Sequence, residues 1–224
     1  MCGRFTITTT KGLIDRFEIM KDFVPEQMET SFNIAPSQPI LSVIHDGERR
    51  RLGHLRWGLI PPWAKDEKIG FKLMNARAES LAEKPSFKKA FQKQRCLIIA
   101  DGFYEWKKIS GEKHPFRITL KSGEYFAFAG LWEKWNPPSG EPVFTCTIIT
   151  TEANAMIEEI HHRMPVILRQ EDEASWLDPN QKETSQLQHL LAPFPADEMT
   201  AYPVSQKVNS SRNDSPDLIK EEIR

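Results

Sequence analysis

Arg95-Cys96-Leu97-Ile98-Ile99-Ala100-Asp101-Gly102-Phe103-Tyr104-Glu105-Trp106-Lys107 is the stretch on which the fold turns. Its first six residues form an apolar run too short for a helix, and the run stops at Asp101-Gly102, a turn pair. Phe103 to Lys107 then alternates, so that Phe103 and Glu105 share a face. The stretch reads as strand, turn, strand.

The same pattern recurs on both sides. Toward the N-terminus, Phe5–Thr8, Ile40–Ile44 and Arg51–Ile60 read as strands, with Asp46-Gly47 as a hairpin turn. Lys11–Phe17 and Ser86–Lys93 carry apolar residues at helical spacing, Phe87 and Phe91 in the second. Asn75–Leu81 reads as a helix capped by Asn75. Arg77 would then lie in its first turn, where the dipole disfavours a cation, which hints at an anionic partner. Toward the C-terminus, Arg117–Leu120 and Tyr125–Gly130 read as a hairpin about Ser122-Gly123, and residues 133–142 as a loop. Phe144–Thr150 and Val166–Leu168 follow as strands. Ala153–Ile160, Asp172–Leu177 and Ser185–Leu191 read as helices. The sum is a single α+β domain over residues 1–210, with a polar tail at 211–224. Its strands, about eight or more, curl into a mostly antiparallel, barrel-like sheet with peripheral helices.

Composition narrows the function. With 30 Lys+Arg against 31 Asp+Glu in 224 residues, no global basic field advertises nucleic acid. Lys84, Lys88, Lys89, Lys93 and Arg95 are a candidate basic patch, read first as a solvated helix face. Cys2, Cys96 and Cys146 are too few and too widely spaced for a disulfide framework or a zinc site, and suit a reducing cytosol. Cys96 and Cys146 lie in apolar runs and read as core thiols. No segment has the apolar length of a membrane span, and the start of the chain lacks a signal-peptide pattern. No metal or cofactor is expected.

The chemistry concentrates at Met1-Cys2-Gly3-Arg4-Phe5. Removal of Met1 leaves Cys2 with an α-amine (pKa about 7.7–8.0) beside a thiol (about 8.5), both partly nucleophilic near neutrality. This 1,2-aminothiol condenses with aldehydes to a thiazolidine. Gly3 allows close backbone approach, and Arg4 offers a planar cation for a phosphate. A frayed terminus is the competing reading of the pentapeptide taken alone.

Three further residues qualify the site. Glu105, a carboxylate on an apolar face, is either an acid/base with raised pKa or the partner of a buried arginine. His161 sits where a helix ends, a position that stabilises imidazolium and suits a proton donor. Pro61 and Pro62 stiffen the loop carrying Trp63, which either stacks on a base or caps the core.

Taken together, Met1-Cys2-Gly3-Arg4-Phe5, Phe32-Asn33-Ile34-Ala35-Pro36, Arg56-Trp57-Gly58-Leu59-Ile60-Pro61, Asn75-Ala76-Arg77-Ala78-Glu79, Phe103-Tyr104-Glu105-Trp106-Lys107 and Ile160-His161-His162-Arg163-Met164-Pro165 resemble the SRAP (SOS-response-associated peptidase) family. The six motifs stand in order, and the resemblance runs from residue 2 to about residue 210. His162 is a departure, since an acidic residue is expected there. The resemblance implies a protein that shields abasic sites in single-stranded DNA, including single-strand/duplex junctions, by a thiazolidine crosslink. It implies Cys2 as nucleophile, Asn75 as a hydrogen-bonding residue near the amine and sugar, Glu105 as base and His161 as acid. Arg4, Arg77 and Arg163 would hold phosphates, with Thr150 also at the DNA. Pro62 and Trp63 would displace the partner strand or stack. The same site would remove Met1 autocatalytically. A concave, positively lined groove with Cys2 at its floor, a monomer, and a cytoplasmic or nucleoid-associated setting are expected.

Three other functions compete. They are an N-terminal-nucleophile amidohydrolase, a cysteine peptidase acting in trans through Cys2, His161 and Asn75 or Glu105, and a non-covalent reader of modified bases using Trp63 and the arginines.

Overall fold

The computed structural model describes residues 2–20, 22, 24–138 and 140–222. Among these the strands are β1 Phe5–Ile7, β2 Ser31–Ile34, β3 Pro39–His45, β4 Arg50–Trp57, β5 Asn75–Arg77, β6 Arg95–Ala100, β7 Gly102–Ile109, β8 Glu112–Leu120, β9 Phe126–Trp135, β10 Val143–Glu152, β11 Arg163–Pro165, β12 Ile167–Leu168 and β13 Met199–Pro203. The helices are short: α1 Leu13–Arg16, α2 Lys88–Lys93, α3 Ala155–Glu158, α4 Glu173–Leu177 and α5 Thr184–Gln188.

Five strands close a ring in the order β3, β4, β10, β9, β6, with β6 returning to β3. Four of the joints are antiparallel. The fifth is parallel and sets Thr145 opposite Arg56 and Cys146 opposite Trp57. Closure removes the open edges of those strands. Every residue of β6 is buried, because the barrel interior covers one face and packed elements, α4 among them, cover the other. That two-sided burial is why β6 reads as a continuous apolar run rather than an alternation.

A second sheet, in the order β13-β8-β7-β1-β2, lies beside the barrel. β1 joins the two bodies. Phe5 sits edge-on to Trp57 at 5.3 Å and to Phe128 at 5.7 Å, and all three rings are buried. Edge-to-face pairs of this kind add about 0.5–1.5 kcal/mol each beyond the area they bury. The α+β architecture and the barrel-like sheet expected from the sequence are what the fold contains. Among the described residues no helix is long and apolar enough to cross a membrane.

Several local expectations are corrected. Asn75–Arg77 is a strand, paired in parallel with Ile148–Thr150, and only a 3₁₀ turn at Ala78–Ser80 follows it. The edge of β10 satisfies this backbone, which overrides the local cap signal, and the dipole argument for Arg77 falls with the helix. Arg117–Leu120 and Tyr125–Gly130 do not pair with each other. β8 pairs with β7 and β13, while β9 pairs with β6, β10 and β12. The turn at Gly123 exists, with φ 72° and its N–H bonded to Leu120 O, but it carries the chain from one sheet to the other. β9 continues through Trp135 into residues expected to be loop. Arg95 is not part of a surface patch: its guanidinium is buried and donates to the carbonyls of Phe91, Gln92, Trp176, Asp178 and Gln181. The described tail residues pack back on the domain. Leu218 is buried, and Asp214 accepts from the Phe32 N–H.

The excursion between β4 and β5 carries Trp63 and closes at its base, where Leu59 N donates to Leu73 O. There Gly58 has φ +127°, and a Cβ built on it would lie 2.8 Å from Gly70 O. Neither the conformation nor the space admits a side chain. Gly58→Ala is expected to cost about 2–3 kcal/mol, a fall in Tm on the order of 5–10 °C for a chain of this size, measurable by calorimetry.

Candidate functional site

Cys2 is fully buried within the core. Three devices hold it there. Phe5 anchors the strand that follows. Tyr104 N donates to Arg4 O, extending the β1–β7 ladder toward Glu105. Asn75 Nδ2 donates to Cys2 O at 2.8 Å, reaching across from β5. Among the described residues the Asn75 Oδ1 is buried without a hydrogen-bond partner. A buried acceptor left open in this way costs about 1–3 kcal/mol unless something donates to it. Met1 itself lies outside the described residues.

Glu105 is 2% exposed. Burial pushes its carboxyl up to about 6, the first of the two readings its sequence context allowed. The Cys2 thiol is raised well above the ordinary thiol range, chiefly by burial and further by the Glu105 charge, so these two groups act on each other. At pH 7 the thiol of this buried cysteine is therefore protonated.

His161 follows α3, its N–H bonded to Ile157 O at 2.7 Å. Its Nδ1 accepts from Arg163 N at 3.0 Å and lies 3.1 Å from Arg163 O. The expectation of an imidazolium favoured by the helix end is corrected. Burial lowers the His161 pKa below the ordinary value, and α3 is only four residues long, too short for a strong dipole. The ring's tautomer sets which contact forms: Nδ1 accepts from Arg163 N, or donates to Arg163 O. His162 stacks on it at 4.4 Å.

The arginines separate. Arg4 donates to Asn33 Oδ1, Val208 O and Asn209 O, and so ties residues 208–209 to the domain. Arg163 is buried and held bidentate by Glu79 at 2.6 and 3.1 Å, with a further bond to Thr150 O. Thr150 is buried too, its hydroxyl near Ala76 O and the Arg163 guanidinium. Arg163 and Thr150 are thus buried among partners of their own, while Arg4 is half-buried. Arg77 alone of the three is exposed. Glu79 was quoted in a motif without a role, because nothing local signals a partner 84 residues away. Trp63 is 59% exposed and Pro62 is exposed beside it, on a loop fixed by the Trp135 Nε1 bond to Ala64 O. Trp63 does not cap the core.

The family model described as SOS response associated peptidase (SRAP) matches residues 1–211. Among curated relatives, "Abasic site processing protein YoqW" of Bacillus subtilis (strain 168) is 57% identical over 223 residues, which cover 98% of this chain and 99% of that one. "Abasic site processing protein HMCES" of Rattus norvegicus is 35% identical over 234 residues, covering 87% of this chain and 66% of that one. Among solved structures, a protein from Bacteroides thetaiotaomicron superposes with a TM-score of 0.84 at 29% identity, over 99% of this chain and 100% of the other.

The raised Glu105 carboxyl has a measurable signature. Because the folded state holds this proton more tightly than the unfolded chain (ordinary value 4.5), the associated stability is full below pH 4.5 and is lost as pH rises through about 6. Its size is about 2 kcal/mol. Glu105→Gln removes this dependence. In denaturant unfolding followed against pH, the variant should gain on the native chain between pH 4.5 and 7 and then run parallel to it.

Proposed function

The chain belongs to the SOS response associated peptidase (SRAP) family, and from that premise we propose that it processes abasic sites in DNA, capturing the open-chain aldehyde of the lesion on Cys2 as a thiazolidine. The observation that carries the reading is the enclosure of Cys2. Its carbonyl is tied to Asn75, and its thiol is coupled to the buried carboxyl of Glu105.

In this reading Met1 is first removed by the same groups, leaving the Cys2 amine free. The thiol is protonated in its buried setting, so the amine attacks first. Glu105 takes a proton from the ammonium, and the neutral amine adds to the aldehyde carbon. The sugar ring opens as the proton of its anomeric hydroxyl passes to the ring oxygen, with neutral His161 hydrogen-bonding the oxygens, and Glu105 returns the proton it took from the ammonium to the hydroxyl that departs as water. The thiol then adds to the imine carbon, its proton passing to the nitrogen. The balance is one aldehyde and one aminothiol giving one thiazolidine and one water. The open Asn75 Oδ1 acceptor takes an amine N–H or a sugar hydroxyl. Arg77 holds a phosphate, and Trp63 stacks on a neighbouring base or wedges against a paired strand, which favours single-stranded DNA. The protein acts as a monomer.

A peptidase acting in trans is the second reading, and the same burial weighs against it. A cysteine nucleophile for other proteins needs an accessible thiolate beside its base. Here the thiol is enclosed and raised, and His161 Nδ1 is committed to the Arg163 backbone.

Incubation with single-stranded DNA containing one abasic site should give a heat-stable adduct, seen by denaturing gel and intact mass, with Met1 absent from the reacting species. Cys2→Ala should give none, and absence of an adduct from the native chain would defeat the proposal. The adduct rate should rise through about pH 6 as Glu105 ionises. Glu105→Gln should flatten the rise and slow formation by about 10²-fold or more. A bell centred near neutrality would instead mean that imidazolium is the acid.

A further inference from the structure

Beside the arginines, the structure offers the phosphates near the lesion a pair of cations that no motif contains. A cleft of about 620 Å³ opens directly from Glu105 and His161. Its walls are the β7–β8 hairpin on one side and the turn from α3 to β11 on the other. Lys108 and Lys113 line it from the hairpin, and His162 and Glu158 from the opposite wall.

The two lysines are a register pair, Lys108 directly opposite Lys113 across the antiparallel ladder. Like charges facing each other on neighbouring strands are destabilising. Among the described residues neither lysine has a carboxylate within ion-pair distance, although β7 and β8 elsewhere carry pairs, Lys107 with Glu159 and His114 with Glu112. Both lysines are exposed. Two unneutralised ammoniums held side by side, opening onto the reactive groups, form a local positive field in a chain whose net charge is −1. Such a field suits a phosphodiester, where an ammonium acts as a point charge without reading sequence. Glu158 opposes it from the far wall, as does Glu105 once ionised above about pH 6.

Resting on the abasic-site reading, we infer that this cleft is a subsite for one strand flank. Lys108 and Lys113 hold the phosphodiesters that run from the lesion along the β7–β8 hairpin, while the base-stacking surface at Trp63 serves other nucleotides. The cleft recognises backbone only, so binding there is independent of base identity.

The test compares native chain, Lys108→Gln/Lys113→Gln and Glu158→Gln. Each is measured for adduct rate against concentration of an abasic single strand, across a salt series, and with a small free aldehyde in place of DNA. Both lysines are exposed and the free-aldehyde reaction needs only Cys2, Glu105 and His161, so that reaction should be unchanged in the double lysine variant and reports an intact site. For DNA, the double lysine variant should need on the order of tenfold more substrate for half-maximal rate at physiological salt, and its log–log salt slope should flatten by about 1.4, or 0.7 per lost phosphate contact. Glu158→Gln should shift the same parameters the opposite way. Lesions with nucleotides on only the 5′ or only the 3′ side then locate the flank, because the lysine effect should survive on one of them and vanish on the other. An unchanged concentration dependence and salt slope in the double variant would overturn the inference while leaving the crosslinking reading standing. No adduct from the native chain with DNA would instead overturn that reading and this subsite with it.

Discussion

Phe5 packed against Trp57 and Phe128 is the contact on which the rest depends. A terminal strand of three residues ordinarily frays, because it has few hydrogen bonds to lose. Here the ring of Phe5 is wholly buried between the second sheet and the barrel, while β2 and β7 pair with its backbone on either side. The entropy of ordering a chain end, about 1–2 kcal/mol per residue for the backbone, is offset by burial of one aromatic side chain worth about 2–3 kcal/mol and by its edge-on contacts. Everything proposed for Cys2 follows from its sitting three residues before that anchor.

Enclosure then sets the chemistry. Water excluded from Cys2 also leaves Glu105, and a carboxyl without water holds its proton up to about pH 6. The same exclusion raises the Cys2 thiol and lowers His161. One cause thus moves three groups, each toward its neutral form. A site built this way favours amine attack over thiolate attack, and it separates the proposed aldehyde capture from the chemistry of an open cysteine peptidase.

The arginines illustrate how a motif residue also serves the fold. Arg4 gathers residues 208–209 against Asn33, and Arg163 bridges Glu79 to the main chain of β10. Arg163 also brings its main-chain N–H and carbonyl to the His161 ring, so the Glu79 pair supports the ring without touching it.

Residue types and spacing alone determined the β-rich α+β class, the strand Arg95–Ala100, the turn at Asp46-Gly47, the buried faces of Phe87 and Phe91, and the core cysteines. Those features rest on local patterns of two to ten residues. Tertiary structure decided the remainder. It made Asn75–Arg77 a strand because β10 had an edge to satisfy. It parted β8 from β9 because each found a better partner in a different sheet. It turned His161 from a helix-end cation into a neutral ring because burial outweighed a four-residue dipole. For Asn75–Arg77 the deciding partner, β10, lies tens of residues away, and its contribution to backbone pairing exceeds the few tenths of a kcal/mol that separate local preferences.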